Sequence, residues 1–129
     1  MTALHDLCAV ELLAGYHGKE FSPSEVLEDV LAHAAEWEPH IHALYAFDPD
    51  GARVVAKAST ERWRKGEPIG SLDGVPITIK ENIATKGVPV PLGAATTTLT
   101  PAPVDAPQAA RVREAGAVVF SKTTMPDYG

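Results

Sequence analysis

Apolar positions recur along this chain first at helical spacing and later at strand spacing. Leu4, Leu7, Cys8 and Leu12 fall on one side of a helix that Thr2 can cap and Gly15 can end. Ser22-Pro23-Ser24-Glu25 is a stronger start, a capping box with proline at the first helical position. Val26, Leu27, Val30, Leu31 and Ala34 then repeat along one face, and Pro39 is expected to close the helix. Ile41 to Phe47 is short and apolar and reads as a strand or a buried extended segment. Asp48-Pro49-Asp50-Gly51 carries turn residues. A third helix follows, with Ala52, Val55, Ala56, Ser59 and Trp63 on one side. Arg62, Arg64 and Lys65 in its last turn suit the helix dipole, and Gly66 supplies the stop.

Beyond a turn at Gly70 to Gly74 the period becomes two. Val75, Ile77 and Ile79 share one strand face, while Thr78 and Lys80 share the other. Pro76 lacks a donor and is expected at the strand's beginning or beside an unpaired position. Residues 84–104 are rich in Thr, Pro, Ala and Gly; so long a loop is usually functional or crosses another element. Asp105-Ala106-Pro107-Gln108 opens a short helix with Ala109, Val112 and Arg113, ended by Gly116. Ala117 to Phe120 is a continuous apolar strand, as expected when both faces are covered. Strand, helix and strand in this order predict a right-handed crossover and parallel pairing. The expected fold class is α/β, N-terminal helices followed by the first strands of a larger mixed sheet. The run at 117–120 calls for neighbours on both sides.

A chain of 129 residues is the size of one domain. Its formal charge of −6 speaks for solubility and against a nucleic-acid binder, which needs a basic face. No membrane span is expected, since no stretch approaches the ~20 apolar residues required. Cys8, the single cysteine, excludes an internal disulfide and is expected as a small core residue. With no secretory pattern at the N-terminus, the expected location is cytoplasmic.

The residue that carries chemistry is Lys80, delivered to the end of an apolar strand. One reading is a lysine that reaches water or pairs with Glu81 or Asp73. The other is a base: a desolvated lysine loses part of its preference for the charged form, and the neutral amine can take a proton from a hydroxyl. In α/β sheets, ligands bind beyond the carboxyl ends of strands, where Lys80 falls. Weaker patterns do not rival it. His40 and His42 would share a face if residues 41–47 are extended, but a zinc site needs three or four ligands. Asp48 to Gly51 lacks the spaced acidic ligands of a calcium loop. Gly116 to Thr123 approaches a phosphate loop, but its interior is an apolar strand. Trp37, Tyr45 and Trp63 read as core and rim aromatics. Lys122 reads as a strand-end lysine partnering nearby carboxylates. No metal and no organic cofactor are expected.

Two blocks resemble those of the amidase signature family. Gly70-Ser71-Leu72-Asp73-Gly74-Val75-Pro76-Ile77-Thr78-Ile79-Lys80-Glu81-Asn82 is similar to its lysine motif, and Val112 to Gly129 resembles its next block, in the same order and spacing. Asp105-Ala106-Pro107 falls where the family has a helix-opening aspartate, and the opening helices are also similar. Glu81 and Asp73 are departures, standing where an aspartate and a histidine or similar residue are common. The resemblance implies that residues 1–129 are the N-terminal part of an amidase signature domain, an incomplete fold, helical over 1–66 with the lysine-bearing strand and an αβ unit over 67–129. It implies a C–N hydrolase with a Ser-cisSer-Lys triad and an acyl-enzyme mechanism. Lys80 would be the catalytic lysine and a small-molecule amide the substrate. Neither Ser71 nor Ser121 lies in a Gly-Ser-Ser-Gly context, so the isolated chain is expected to be inactive for want of both serines. Two alternatives stand beside this. One is a non-catalytic truncated module that binds a partner or forms a homo-oligomer. The other is part of an A-subunit-like tRNA-dependent amidotransferase. A complementing chain that supplies the serines is a further expectation.

Overall fold

The computed structural model describes residues 2–129. A 3₁₀ turn (Leu4–Asp6) leads to helices α1 (Ala9–Gly18) and α2 (Pro23–Ile41), then strand β1 (Leu44–Tyr45) and helix α3 (Pro49–Lys65). Strand β2 (Pro76–Lys80), helix α4 (Pro107–Glu114) and strand β3 (Val118–Thr123) follow. The sheet order is β1-β3-β2, with β2 parallel and β1 antiparallel to β3. The sheet is therefore mixed, and the apolar run in β3 has its neighbours on both sides, as the sequence predicts. The strand carrying Lys80 is an edge of this sheet.

Helix α2 organises the interior because its apolar positions feed two clusters. Leu27 and Leu31 pack with Ala52 and Ala56 of α3 and with Val118 and Phe120 of β3. Val26 turns instead to Leu12, Tyr16 and Val75, with Leu4, Leu7, Phe21 and Trp63 around them. The helix starts as predicted: the Ser22 hydroxyl accepts from Glu25 N–H, and the Glu25 carboxylate accepts from Ser22 N–H.

Several boundaries differ from expectation, each for a local reason. Helix α1 begins after Cys8, not after Thr2, because the Glu11 carboxylate accepts from Cys8 N–H at 2.7 Å. As an N-cap, Cys8 is exposed rather than part of the core. Gly15 lies inside α1 beneath the Phe21 ring, and the helix ends instead at Lys19, in the left-handed conformation. Pro39 does not close α2, which runs on to Ile41. The hydrogen bond that proline cannot donate would go to the carbonyl of Ala35, an exposed residue that water can serve. The Glu38 carboxylate then holds the N–H groups of Ala43 and Leu44.

Of the apolar run 41–47, only Leu44–Tyr45 is strand; Ile41 and Phe47 are exposed. His40 belongs to the helix and His42 is left-handed, so the extended face they would share does not form. Among the described residues no group of three or more His, Cys, Asp or Glu is placed to hold a metal. Asp48 to Gly51 is a helix start rather than a free turn, with the Asp48 carboxylate accepting from Gly51 N–H. Helix α4 is capped by Ala106, while Asp105 accepts from Lys86 N–H and pairs with Arg113 at 3.4 Å. Asp105 thereby fastens the long loop to α4 instead of opening the helix. Among the described residues no helix is long and apolar enough to cross a membrane.

Candidate active site

Both ends of β2 are fastened by buried polar groups, and these define where Lys80 stands. At its N-terminal end is the turn 70–74. Asp73 is fully buried (0 % exposed), so its carboxylate must be fully partnered. It accepts from Ser59 Oγ at 2.6 Å, from Arg62 Nη2 at 2.6 Å and Nε at 2.8 Å, and from Ile69 N–H at 2.9 Å. Burial alone would raise its pKa. The bonds from Arg62, Ser59 and Ile69, with the Arg62 charge, outweigh that and hold the carboxyl below the usual aspartate value. The Asp73 carbonyl accepts from Trp63 Nε1 and the Gly74 carbonyl from the Tyr16 hydroxyl. Burial, reinforced by the charge of Asp73, pushes the Tyr16 phenol above its ordinary range. Backbone bonds from Leu72 to Ala115 and from Gly74 to Gly116 tie the turn to the end of α4.

At the other end, Lys80 closes β2 at its carboxyl end, as predicted, and its side chain is exposed rather than desolvated. The carboxylates considered as its partners are engaged elsewhere, Asp73 with Arg62 and Glu81 with Gly93 N–H at 2.7 Å. The chain then turns at once. Ile83 N–H donates to the Lys80 carbonyl at 3.0 Å, and Glu81 N–H donates to Thr123 of β3 at 2.9 Å.

Lys122 departs most from the sequence reading. It is 2 % exposed, and its ammonium donates to the carbonyls of Glu81 and Ile83, each at 2.8 Å, rather than to carboxylates. Burial pulls its pKa below that of an ordinary lysine, and the nearby Glu81 charge opposes the shift. Lys122 pairs with Ile79 and Lys80 with Thr123, so the two lysines lie on opposite faces of the sheet. A signal for Lys122 was present in the sequence: like Lys80, it ends an apolar strand run. Asp73 and Glu81 gave no such signal, reading as minor departures although both are buried anchors of the site.

The arrangement offers one accessible amine on a braced strand end. Ser121, whose hydroxyl donates to the carbonyls of Tyr45 and Lys122, is committed to the backbone and is not placed as a nucleophile. A cavity of about 250 Å³ beside β3 is lined by Thr85, Arg113, Phe120 and Lys122, among others, and does not include Lys80.

Comparison with known proteins identifies the family of the chain. The profile of the Amidase family matches residues 25–129. The A subunit of glutamyl-tRNA(Gln) amidotransferase from Acidothermus cellulolyticus is 36 % identical over 120 residues, covering 93 % of this chain and 24 % of that protein. Its namesake from Salinispora arenicola is 34 % identical over 128 residues, covering 99 % of this chain and 26 % of its own length. The crystal structure of a bacterial aryl acylamidase of the amidase signature family superposes with a TM-score of 0.87 at 29 % identity, over 99 % of this chain and 27 % of that one. The chain thus spans about a quarter of the length of the relatives it matches. With its lysine strand, its αβ unit and most of its helices inside the matched region, the chain belongs to the amidase family, the amidase signature enzymes.

Proposed function

We propose that residues 1–129 are the N-terminal part of an amidase signature domain and that Lys80 is the proton acceptor of its amide-cleaving centre. The helical portion covers 1–66, and the lysine strand with its αβ unit covers 67–129. The observation that carries this is the placement of Lys80: exposed beyond the carboxyl end of a braced strand, with the adjacent Glu81 carboxylate committed to Gly93 N–H. In its neutral form the amine accepts a proton from the bridging serine, which in turn accepts one from the serine nucleophile. That nucleophile adds to the amide carbonyl, the C–N bond breaks as the proton passes to the leaving nitrogen, and water cleaves the resulting ester. Residues 1–129 contain no Gly-Ser-Ser-Gly run, so a polypeptide of these residues alone does not cleave amides under this proposal.

The test is the intact mass of the protein as its native cell makes it, followed by ammonia release from simple amides by that protein and its Lys80→Ala variant. A mass well above 13.7 kDa, amide cleavage, and a fall in kcat/KM of about 10²–10⁴-fold in the variant are expected. Activity retained in Lys80→Ala would overturn the role of Lys80. A native mass equal to this chain, with no cleavage, would turn the proposal toward a non-catalytic binding module or a chain completed by a partner.

The names of the curated relatives favour a second reading, the A subunit of an amidotransferase that acts on glutamyl-tRNA(Gln) with partner subunits. Amide transfer to glutamyl-tRNA(Gln) only when partner subunits are present would select it; hydrolysis of free amides by this protein alone would select the amidase.

A further inference from the structure

We propose that Lys122 is a positioning residue for Lys80, acting through the turn that follows it; this rests on the assignment of Lys80 as proton acceptor. A lysine has a long reach, so where its amine stands depends on how firmly its backbone is held. Lys80 closes β2, and its own carbonyl takes the Ile83 N–H in the succeeding turn. Two further carbonyls of that turn, those of Glu81 and Ile83, receive the Lys122 ammonium at 2.8 Å each. Lys122 is itself fixed, because it lies within β3 opposite Ile79 and is almost wholly enclosed. The turn is thus bound to β3 through two connections, Glu81 N–H to Thr123 and Lys122 Nζ to the two carbonyls.

Glu81 adds a third connection. Its side chain holds Gly93 N–H, so the long loop that follows is anchored to the residue next to Lys80. Removing the Lys122 ammonium leaves the buried Glu81 carbonyl and the half-buried Ile83 carbonyl without that donor. The turn can satisfy them only by opening toward water, which moves the end of β2 and the amine with it. A displacement of about 1 Å in a catalytic group costs on the order of 10²-fold in rate.

The experiment compares wild type, Lys122→Met and Lys122→Arg, with Lys80→Ala alongside, in the protein as its native cell makes it. Methionine keeps the apolar stem and removes the donors; arginine keeps charge and donors on a longer head. Rates per correctly folded molecule, from the native fraction measured in each preparation, separate positioning from loss of protein. The expected result is kcat lowered by about 10²-fold in Lys122→Met, KM within about threefold of wild type, and Lys122→Arg between the two. Should Lys122→Met fail to fold, Lys122→Arg carries the test, with a reduced kcat at unchanged KM expected. Wild-type kcat in the variants that fold overturns the proposal, as does a loss fully accounted for by a smaller native fraction. If Lys80→Ala stays active, the assignment of Lys80 fails and this inference falls with it. If Lys80→Ala is inactive while the Lys122 variants keep wild-type kcat, only the positioning role is wrong.

Discussion

Asp73→Asn probes the polar anchor that starts the lysine strand. The carboxylate takes four hydrogen bonds: Oδ1 receives Ser59 and Arg62 Nη2, and Oδ2 receives Arg62 Nε and Ile69 N–H. An asparagine amide presents one oxygen and one NH₂, so whichever way it is turned an Arg62 N–H loses its acceptor. Breaking a buried ion pair by removing one partner costs about 3–5 kcal/mol. The Arg62 side chain keeps 25 % of its exposure and can recover some hydration, which favours the lower end, about 3 kcal/mol. Urea unfolding followed by tryptophan fluorescence measures this, since Trp63 donates to the Asp73 carbonyl; Trp37 is replaced by Phe to remove its background. The double variant Asp73→Asn with Arg62→Met should cost less than the sum of the two single variants by about 1.5 kcal/mol or more. The pH dependence has a definite sign. The folded carboxyl lies below its ordinary value, so its stabilisation is complete above about pH 4 and is lost as pH falls through the folded value. Asp73→Asn should therefore flatten the acid limb of the stability profile. A loss under about 1 kcal/mol with an unchanged acid limb would refute the reasoning.

Three further perturbations test the supporting structure. Tyr16→Phe should cost about 1 kcal/mol by leaving the buried Gly74 carbonyl without its donor. Because burial raises the Tyr16 phenol, the stability it contributes is full below about pH 10 and lost as pH rises beyond that; urea titrations at pH 8 and pH 11 should show a smaller loss for Tyr16→Phe than for wild type. Leu27→Ala, at the junction of α2, α3 and β3, should cost about 2–5 kcal/mol by thermal or urea unfolding. Gly116→Ala should be worse tolerated than a surface change: at φ +91° an added Cβ would meet the Asp73 backbone at 2.7 Å, and circular dichroism should show a large drop in melting temperature.

Features carried by periodicity or by strong local chemistry were legible from the residues alone. The capping box at Ser22, the α2 stripe, the strand at Pro76 and the parallel partnership of β2 with β3 all follow from short-range rules. Features decided by distant side chains were not. Nothing near Pro39 announces that Glu38 will fold over residues 43 and 44 to complete a longer helix. Asp73 resembles a turn residue until Arg62 and Ser59, eleven and fourteen positions earlier, are seen to enclose it. Asp105 has the composition of a helix cap, yet its carboxylate is drawn to Lys86 N–H across the loop. Lys80 was legible because strand alternation and a motif agree on it; its support was not, because that support comes from a residue 42 positions later.

The contrast between the two lysines turns on one irregularity in the sheet. From Pro76 opposite Val118 and Ile77 opposite Val119, an unbroken parallel register would place Lys80 opposite Lys122. The observed register shifts by one residue between Ile77 and Thr78, so that Thr78 meets Ser121, Ile79 meets Lys122 and Lys80 meets Thr123. In the unshifted register two like charges would lie side by side on one face, which is unfavourable. A one-residue slip sends a side chain to the other face. The shift therefore does two things at once. It removes a second cation from beside Lys80, and it turns Lys122 toward the buried face, where its ammonium meets the carbonyls of the turn that holds Lys80. Bulges are common beside active sites because they re-aim side chains. The place of Lys122 cannot be read from alternation alone, since the irregularity skips Phe120 and interrupts alternation in β3, whereas β2 keeps it through Lys80. The same residue type, ending the same kind of apolar run, is an accessible amine on one strand and an internal brace on the next.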